Sequence, residues 1–173
     1  MQPFAASLGS PRVSALRRLD LRVSGIATSN AATQIAMLSA ALSALSSGHL
    51  CRLEELCVRE LGVIEEVRAL CVGLDSGRLS SLRKLRLDSC MLGIGGGRAL
   101  SEVVVAENLP SLRSFRAHLS QLHDEGVVVL TEAWMSRPPP PLEHLGLSRN
   151  ELTGGVADAL LVLIGSKRVR SLE

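Results

Sequence analysis

Leu82-Arg-Lys-Leu85-Arg-Leu87-Asp-Ser-Cys90-Met-Leu92 is the stretch that decides how this chain folds, because its frame returns as Leu142-Glu-His-Leu145-Gly-Leu147-Ser-Arg-Asn150-Glu-Leu152. Looser copies start at Leu16, Leu53 and Leu112, so successive starts are separated by 37, 29, 30 and 30 residues. The copies agree column by column. Three positions after each start stand Leu19, Leu56, Leu85, Phe115 and Leu145; five positions after, Leu21, Val58, Leu87, Ala117 and Leu147. Ten positions after come Ile26, Val63, Leu92, Leu122 and Leu152. A chain that is 46% hydrophobic would rarely fill every entry of four columns with apolar residues by chance. A further copy begins at Val169 and Leu172. Self-similarity at this period is the mark of a solenoid, in which each unit is shielded by its neighbour.

Two periodicities alternate inside each unit. The Leu-x-Leu core of the frame alternates apolar and polar residues, the pattern of a strand with one buried face. After the last column the spacing becomes helical: Val67, Leu70, Cys71 and Leu74 share one helix face, as do Leu100, Val103 and Val104, then Val127, Leu130 and Trp134, then Val156, Leu160 and Leu163. Asp124 and Thr153 occupy positions where a helix N-cap is expected. Gly93-Ile-Gly-Gly-Gly97 reads as the turn from strand to helix; its glycine spacing fits neither a dinucleotide fingerprint nor a phosphate loop. The expected fold is α/β, a curved solenoid (horseshoe) with parallel strands on the concave side and helices on the convex side.

One strand and one helix per unit of about thirty residues resembles the leucine-rich repeats of the ribonuclease-inhibitor type. The resemblance implies a side-chain ladder at the ninth position holding the turn after each strand. Here that ladder is Ser24, Leu61, Cys90, Ser120 and Asn150, and Leu61 predicts the least regular turn in the second repeat. It also implies a scaffold that binds protein, as in the sensing arrays of immune receptors. A GTPase activator resembling those of Ran is the alternative, although no residue of such activators can be carried onto a position here.

Residues 1–15 are a short N-terminal segment compatible with part of a preceding repeat. Residues 16–173 are the repeat array: five units starting at 16, 53, 82, 112 and 142, and the start of a sixth at 169. Neither end carries the polar cap that a solenoid requires. The expectation is therefore a piece of a longer repeat protein, or open ends covered by a partner or by self-association. The first unit is about eight residues too long, and its stretch from Ile26 to Gly48 has no charge. That stretch is mostly Ala, Ser and Thr with Asn30 and Gln34, unlike a span of about 20 apolar residues. Ile35, Leu38, Leu42 and Leu45 instead mark one face of an outer helix.

The chemistry excludes more than it assigns. Four cysteines stand at a core position (Cys71), a ladder position (Cys90), a strand (Cys57) and a turn (Cys51), which is no disulfide framework. Without an Asn-x-Ser/Thr acceptor or a signal-peptide run, an intracellular, reducing setting is favoured. The four histidines, His49, His118, His123 and His144, form no metal-ligand spacing with the cysteines. No nucleophile–base set points to an enzyme, and no cofactor is implied. Net charge of +2 with 2% aromatic residues argues against nucleic acid. The Pro138–Pro141 run is read as a link between helix and strand.

The polar columns of the strands remain. They form three stripes: Arg18, Glu55, Lys84, Ser114 and His144; Asp20, Cys57, Arg86, Arg116 and Gly146; Arg22, Arg59, Asp88, His118 and Ser148. Arg22, Arg59, Lys84, Arg86, Arg116 and His118 are the candidate partner-binding residues, with Arg83 and Arg113 at the edge. Their weak positive bias favours an acidic protein partner.

Overall fold

Six strands lie side by side in chain order, all parallel: β1 (Arg18–Arg22), β2 (Glu55–Arg59), β3 (Lys84–Arg86), β4 (Ser114–Arg116), β5 (Leu142–Gly146) and β6 (Val169–Leu172). β1 and β6 are the edges, so the sheet is open. This is a computed structural model, and it describes residues 10–22, 38–62, 64–136 and 142–173. Ser24, Ile26, Ile35, Val63 and the Pro138–Pro141 run lie outside those residues.

The pairing register follows the sequence columns. Leu19 faces Leu56, Leu56 faces Leu85, Leu85 faces Phe115, Phe115 faces Leu145, and Leu145 faces Leu172. Because side chains alternate along a strand, this register sends every leucine of the column to one face. Those of β1 to β5 are buried almost completely there, and Leu172 on the edge strand is half-buried. Parallel neighbours need a crossover, and helices supply it: α1 (Ile64–Asp75), α2 (Gly93–Val105), α3 (His123–Ser136) and α4 (Ala157–Gly165), each packed against the next. Residues 38–43 are helical before β2. Val67, Leu70, Cys71 and Leu74 of α1 are buried, as are Leu100, Val103 and Val104 of α2, and Val127, Leu130 and Trp134 of α3. These helix faces and the strand leucines make one continuous core, in which Trp134 lies 5.0 Å from Phe115. Full burial of each such leucine contributes about 2 kcal/mol. α4 differs: Leu163 is its buried residue, while Leu161, Val162 and Ile164 are exposed.

The ladder residues link units in a regular way. Cys90 donates its thiol to the Val58 carbonyl at 3.3 Å, Ser120 its hydroxyl to Leu87 at 2.7 Å, and Asn150 its amide to Ala117 at 2.6 Å. In each case the acceptor is the last apolar strand column of the preceding unit. Leu61 offers no such donor and is buried; the turn's Gly62 N–H instead donates to the Glu66 carboxylate of α1 at 2.9 Å. The turns themselves repeat: Glu60, Ser89, Leu119 and Arg149, each seven residues into its frame, have φ between 53° and 63°.

Two local readings change. Gly95, Gly96 and Gly97 are not in the turn but inside α2, which starts at Gly93. Helix propensity argues against glycine there; at Gly96 and Gly97 the close approach of Val67 of α1 and Gly126 of α3 overrides it, whereas Gly95 is exposed. Asp124 is not an N-cap, since α3 starts one residue earlier, at His123. Its carboxylate accepts from the backbone N–H of Thr153, at 2.8 Å, and from the Thr153 hydroxyl, tying two units together. Those bonds hold the Asp124 carboxyl below its usual range. Thr153 does cap a short helical turn, accepting from Gly155.

All four cysteines carry free thiols; Cys51 is exposed and the others are buried. Burial pushes the Cys71 and Cys90 thiols up to about 12 and raises that of Cys57. Near neutral pH those three are protonated and shielded, hence poor nucleophiles. Brief iodoacetamide treatment of native protein is expected to modify Cys51 alone, and all four cysteines after unfolding. Mass spectrometry reads the count; a second native adduct would contradict the packing around the buried thiols.

Candidate functional site

The face of the sheet turned away from the apolar columns carries the polar ones, and the register aligns them. Arg18, Glu55, Lys84, Ser114 and His144 are consecutive cross-strand neighbours. Asp20, Cys57, Arg86, Arg116 and Gly146 form the next row. Arg22 faces Arg59 in the third row, which continues past the strand ends through Asp88, His118 and Ser148. There Asp88 accepts weakly from the His118 N–H at 3.4 Å, and the His118 Nδ1 meets the Ser148 hydroxyl.

Ion pairs divide this face into two parts. Around β1 and β2 the cations are neutralised: Arg17 by Glu54 at 2.7 Å, Arg18 by Glu55 at 3.5 Å, Arg22 by Glu60 at 2.7 Å, and Arg59 by Asp20 at 2.8 Å. The Asp20 hydrogen bond raises the pKa of Arg59 further. Exposed pairs of this kind add little stability, about 0–1 kcal/mol each, but they remove free charge. Around β3 and β4 the balance reverses. Arg86 pairs with Asp88 at 3.2 Å, whereas Arg83, Lys84, Arg113 and Arg116 are in no ion pair among the described residues.

A groove of about 710 Å³ lies over this second part. Arg83, Lys84, Arg86, Arg113 and Arg116 line it together with Ser111, Ser114 and His144. Carboxylates stand on its flanks: Glu55 on β2, Glu143 on β5 and Glu173 after β6. At its centre Arg86 and Arg116 are direct cross-strand partners, an arrangement in which like charges repel. The Nε of each is buried and has no hydrogen-bond acceptor among the described residues. Such a donor is costly unless a partner supplies an acceptor. Gly146 completes the shape. A Cβ there would meet His118 Nε2 at 2.8 Å and the Arg116 Cγ at 3.1 Å. The missing side chain lets both residues lean over β5.

Of the sequence candidates, then, the structure brings Lys84, Arg86 and Arg116 into one groove. Arg22 and Arg59 lie on the same face but outside the groove lining, each held by a carboxylate. His118 also stands outside that lining, against Ser148 and Gly146. The lining residues Arg83, Arg113 and His144 were within reach of the sequence, since they sit one position before, or within, the polar columns. Glu143, one position before His144, and Glu173, four residues after Val169 in the column of Arg86 and Arg116, carried the same signal and were passed over; Ser111, one residue before its frame, had none.

Among the described residues no group of His, Cys, Asp or Glu is placed to hold a metal ion. No helix among them is long and apolar enough to cross a membrane. Set against known proteins, the chain matches no protein-family model and no curated protein.

Proposed function

We propose that the chain is a leucine-rich repeat solenoid of the ribonuclease-inhibitor-like type that binds a protein partner on the curved inner wall formed by its strands. Three features support the repeat type: one strand and one helix per unit, strands paired in chain order, and ladder bonds from Cys90, Ser120 and Asn150 to the preceding unit. The binding role rests on one observation. Lys84 and Arg116 face a groove on the uncovered side of the sheet without ion-pair partners, while the cations around β1 and β2 are neutralised. A rigid face with uncompensated charge fits recognition of an oppositely charged surface, chiefly through orientation and encounter rate. Buried free thiols fit a reducing, intracellular setting.

The test is a quantitative pull-down from native lysate with three baits: the natural chain, a triple variant (Lys84→Glu, Arg86→Glu, Arg116→Glu), and Arg68→Glu at an exposed position of α1. Proteins retained by the natural chain and by Arg68→Glu are expected to disappear with the triple variant. An identical set on all three baits would remove the groove as the interface.

A further inference from the structure

Resting on that reading, we infer that the groove takes an extended acidic segment of the partner, with two carboxylates spaced two residues apart. The first carboxylate lies between Arg86 and Arg116. Strand register makes these two residues direct neighbours. Arg86 has only Asp88 as an ion-pair partner, at 3.2 Å, and Arg116 has none among the described residues. Both Nε donors, like that of Arg59, are buried without an acceptor. A carboxylate between them accepts from both forks, in the geometry arginine favours for planar oxyanions, and adds to Asp88 in offsetting the cross-strand repulsion.

The second carboxylate follows from the pleat. Lys84 precedes Arg86 by two residues on the same face of β3, and Ser114 stands beside it on β4. Two residues along a strand span roughly 6.7 Å, which is also the distance between alternate side chains of an extended peptide. A Glu-x-Glu or Asp-x-Asp segment lying along β3 and β4 therefore sets its second carboxylate at Lys84 and Ser114. Arg83 and Arg113, adjacent in the groove lining, add positive potential there. Across the strands, the groove runs from Glu55 on β2 to His144 on β5. That is three strand spacings, about 14 Å, far wider than a lone anion needs and matched to a peptide.

Fluorescence anisotropy with the full chain and labelled peptides tests this. The peptide Ala-Glu-Ala-Glu-Ala is expected to bind. Its Gln-for-Glu counterpart is expected to bind at least about tenfold more weakly, as is the acidic peptide with Arg116→Gln or Lys84→Gln. Arg59→Gln, outside the groove lining, is expected to leave affinity within about twofold. Circular dichroism of each variant establishes that it is folded. Equal binding of the Gln peptide, or unchanged affinity in both folded groove variants, overturns the inference. So does a phosphoserine peptide binding about tenfold more tightly than the glutamate one, because the site would then be a phosphate site. If the acidic peptide does not bind while lysate partners are still lost in the triple variant, this inference fails alone; an unchanged lysate set defeats the broader reading.

Discussion

Asn150→Ala is expected to lower the stability of the chain by about 4 kcal/mol. Asn150 is 1% exposed, and its side chain makes four hydrogen bonds to backbone. Its Nδ2 donates to the carbonyls of Ala117 at 2.6 Å and Leu147 at 2.7 Å. Its Oδ1 accepts from the N–H groups of Ser120 at 2.9 Å and Leu122 at 3.3 Å. Truncation orphans two buried donors at about 1–3 kcal/mol each and weakens two carbonyls besides. At 2–4 °C per kcal/mol for a chain of this size, the melting temperature should fall by roughly 8–16 °C.

The ladder also predicts a ranking. Ser120→Ala removes one strong donor to Leu87, and Cys90→Ala removes a thiol, a weak donor. The expected order of loss in urea titrations is Asn150, then Ser120, then Cys90. If Cys90→Ala cost as much as Asn150→Ala, stability would reside in local packing and the ladder bonds would be incidental.

The legible part of the sequence was whatever repeats. A column of leucines at fixed spacing tells which residues face the core, and parallel pairing in chain order follows once each strand needs a helical return. Val169 and Leu172 were placed as a sixth strand from two residues, because two columns sufficed. The hydrophobic pattern was silent where one unit differs from the next. Nothing in the frame says that Asp20, Glu54, Glu55 and Glu60 neutralise the cations of β1 and β2 while those of β3 and β4 stay open. That outcome depends on side-chain reach between strands, which a column of letters does not encode. The same limit hid the cross-unit bond of Asp124, whose partner lies 29 residues away.

The glycines of α2 show the limit most sharply, because two neighbours two residues apart should respond with opposite sign. A Cβ at Gly95 would touch only the tip of Ile64, at 3.7 Å, an ordinary contact at an exposed position. Gly95→Ala should therefore gain helix propensity alone and stabilise the chain by about 1 kcal/mol. A Cβ at Gly97 would sit 2.9 Å from the Cα and 3.0 Å from the carbonyl oxygen of Gly126 in α3. Those are backbone atoms of a helix already fixed by the core, so they cannot rotate aside. Relief requires α2 and α3 to separate, which loosens the core to which Val103, Val104 and Val127 belong. Overpacking of this kind costs typically 1–3 kcal/mol, enough to outweigh the propensity gain of alanine. Gly97→Val adds a branched side chain with less propensity to offset it, and its expected loss is about 3 kcal/mol. Chemical denaturation of the three variants checks the signs. A stabilising Gly97→Ala would mean that α2 and α3 are not held at this close approach.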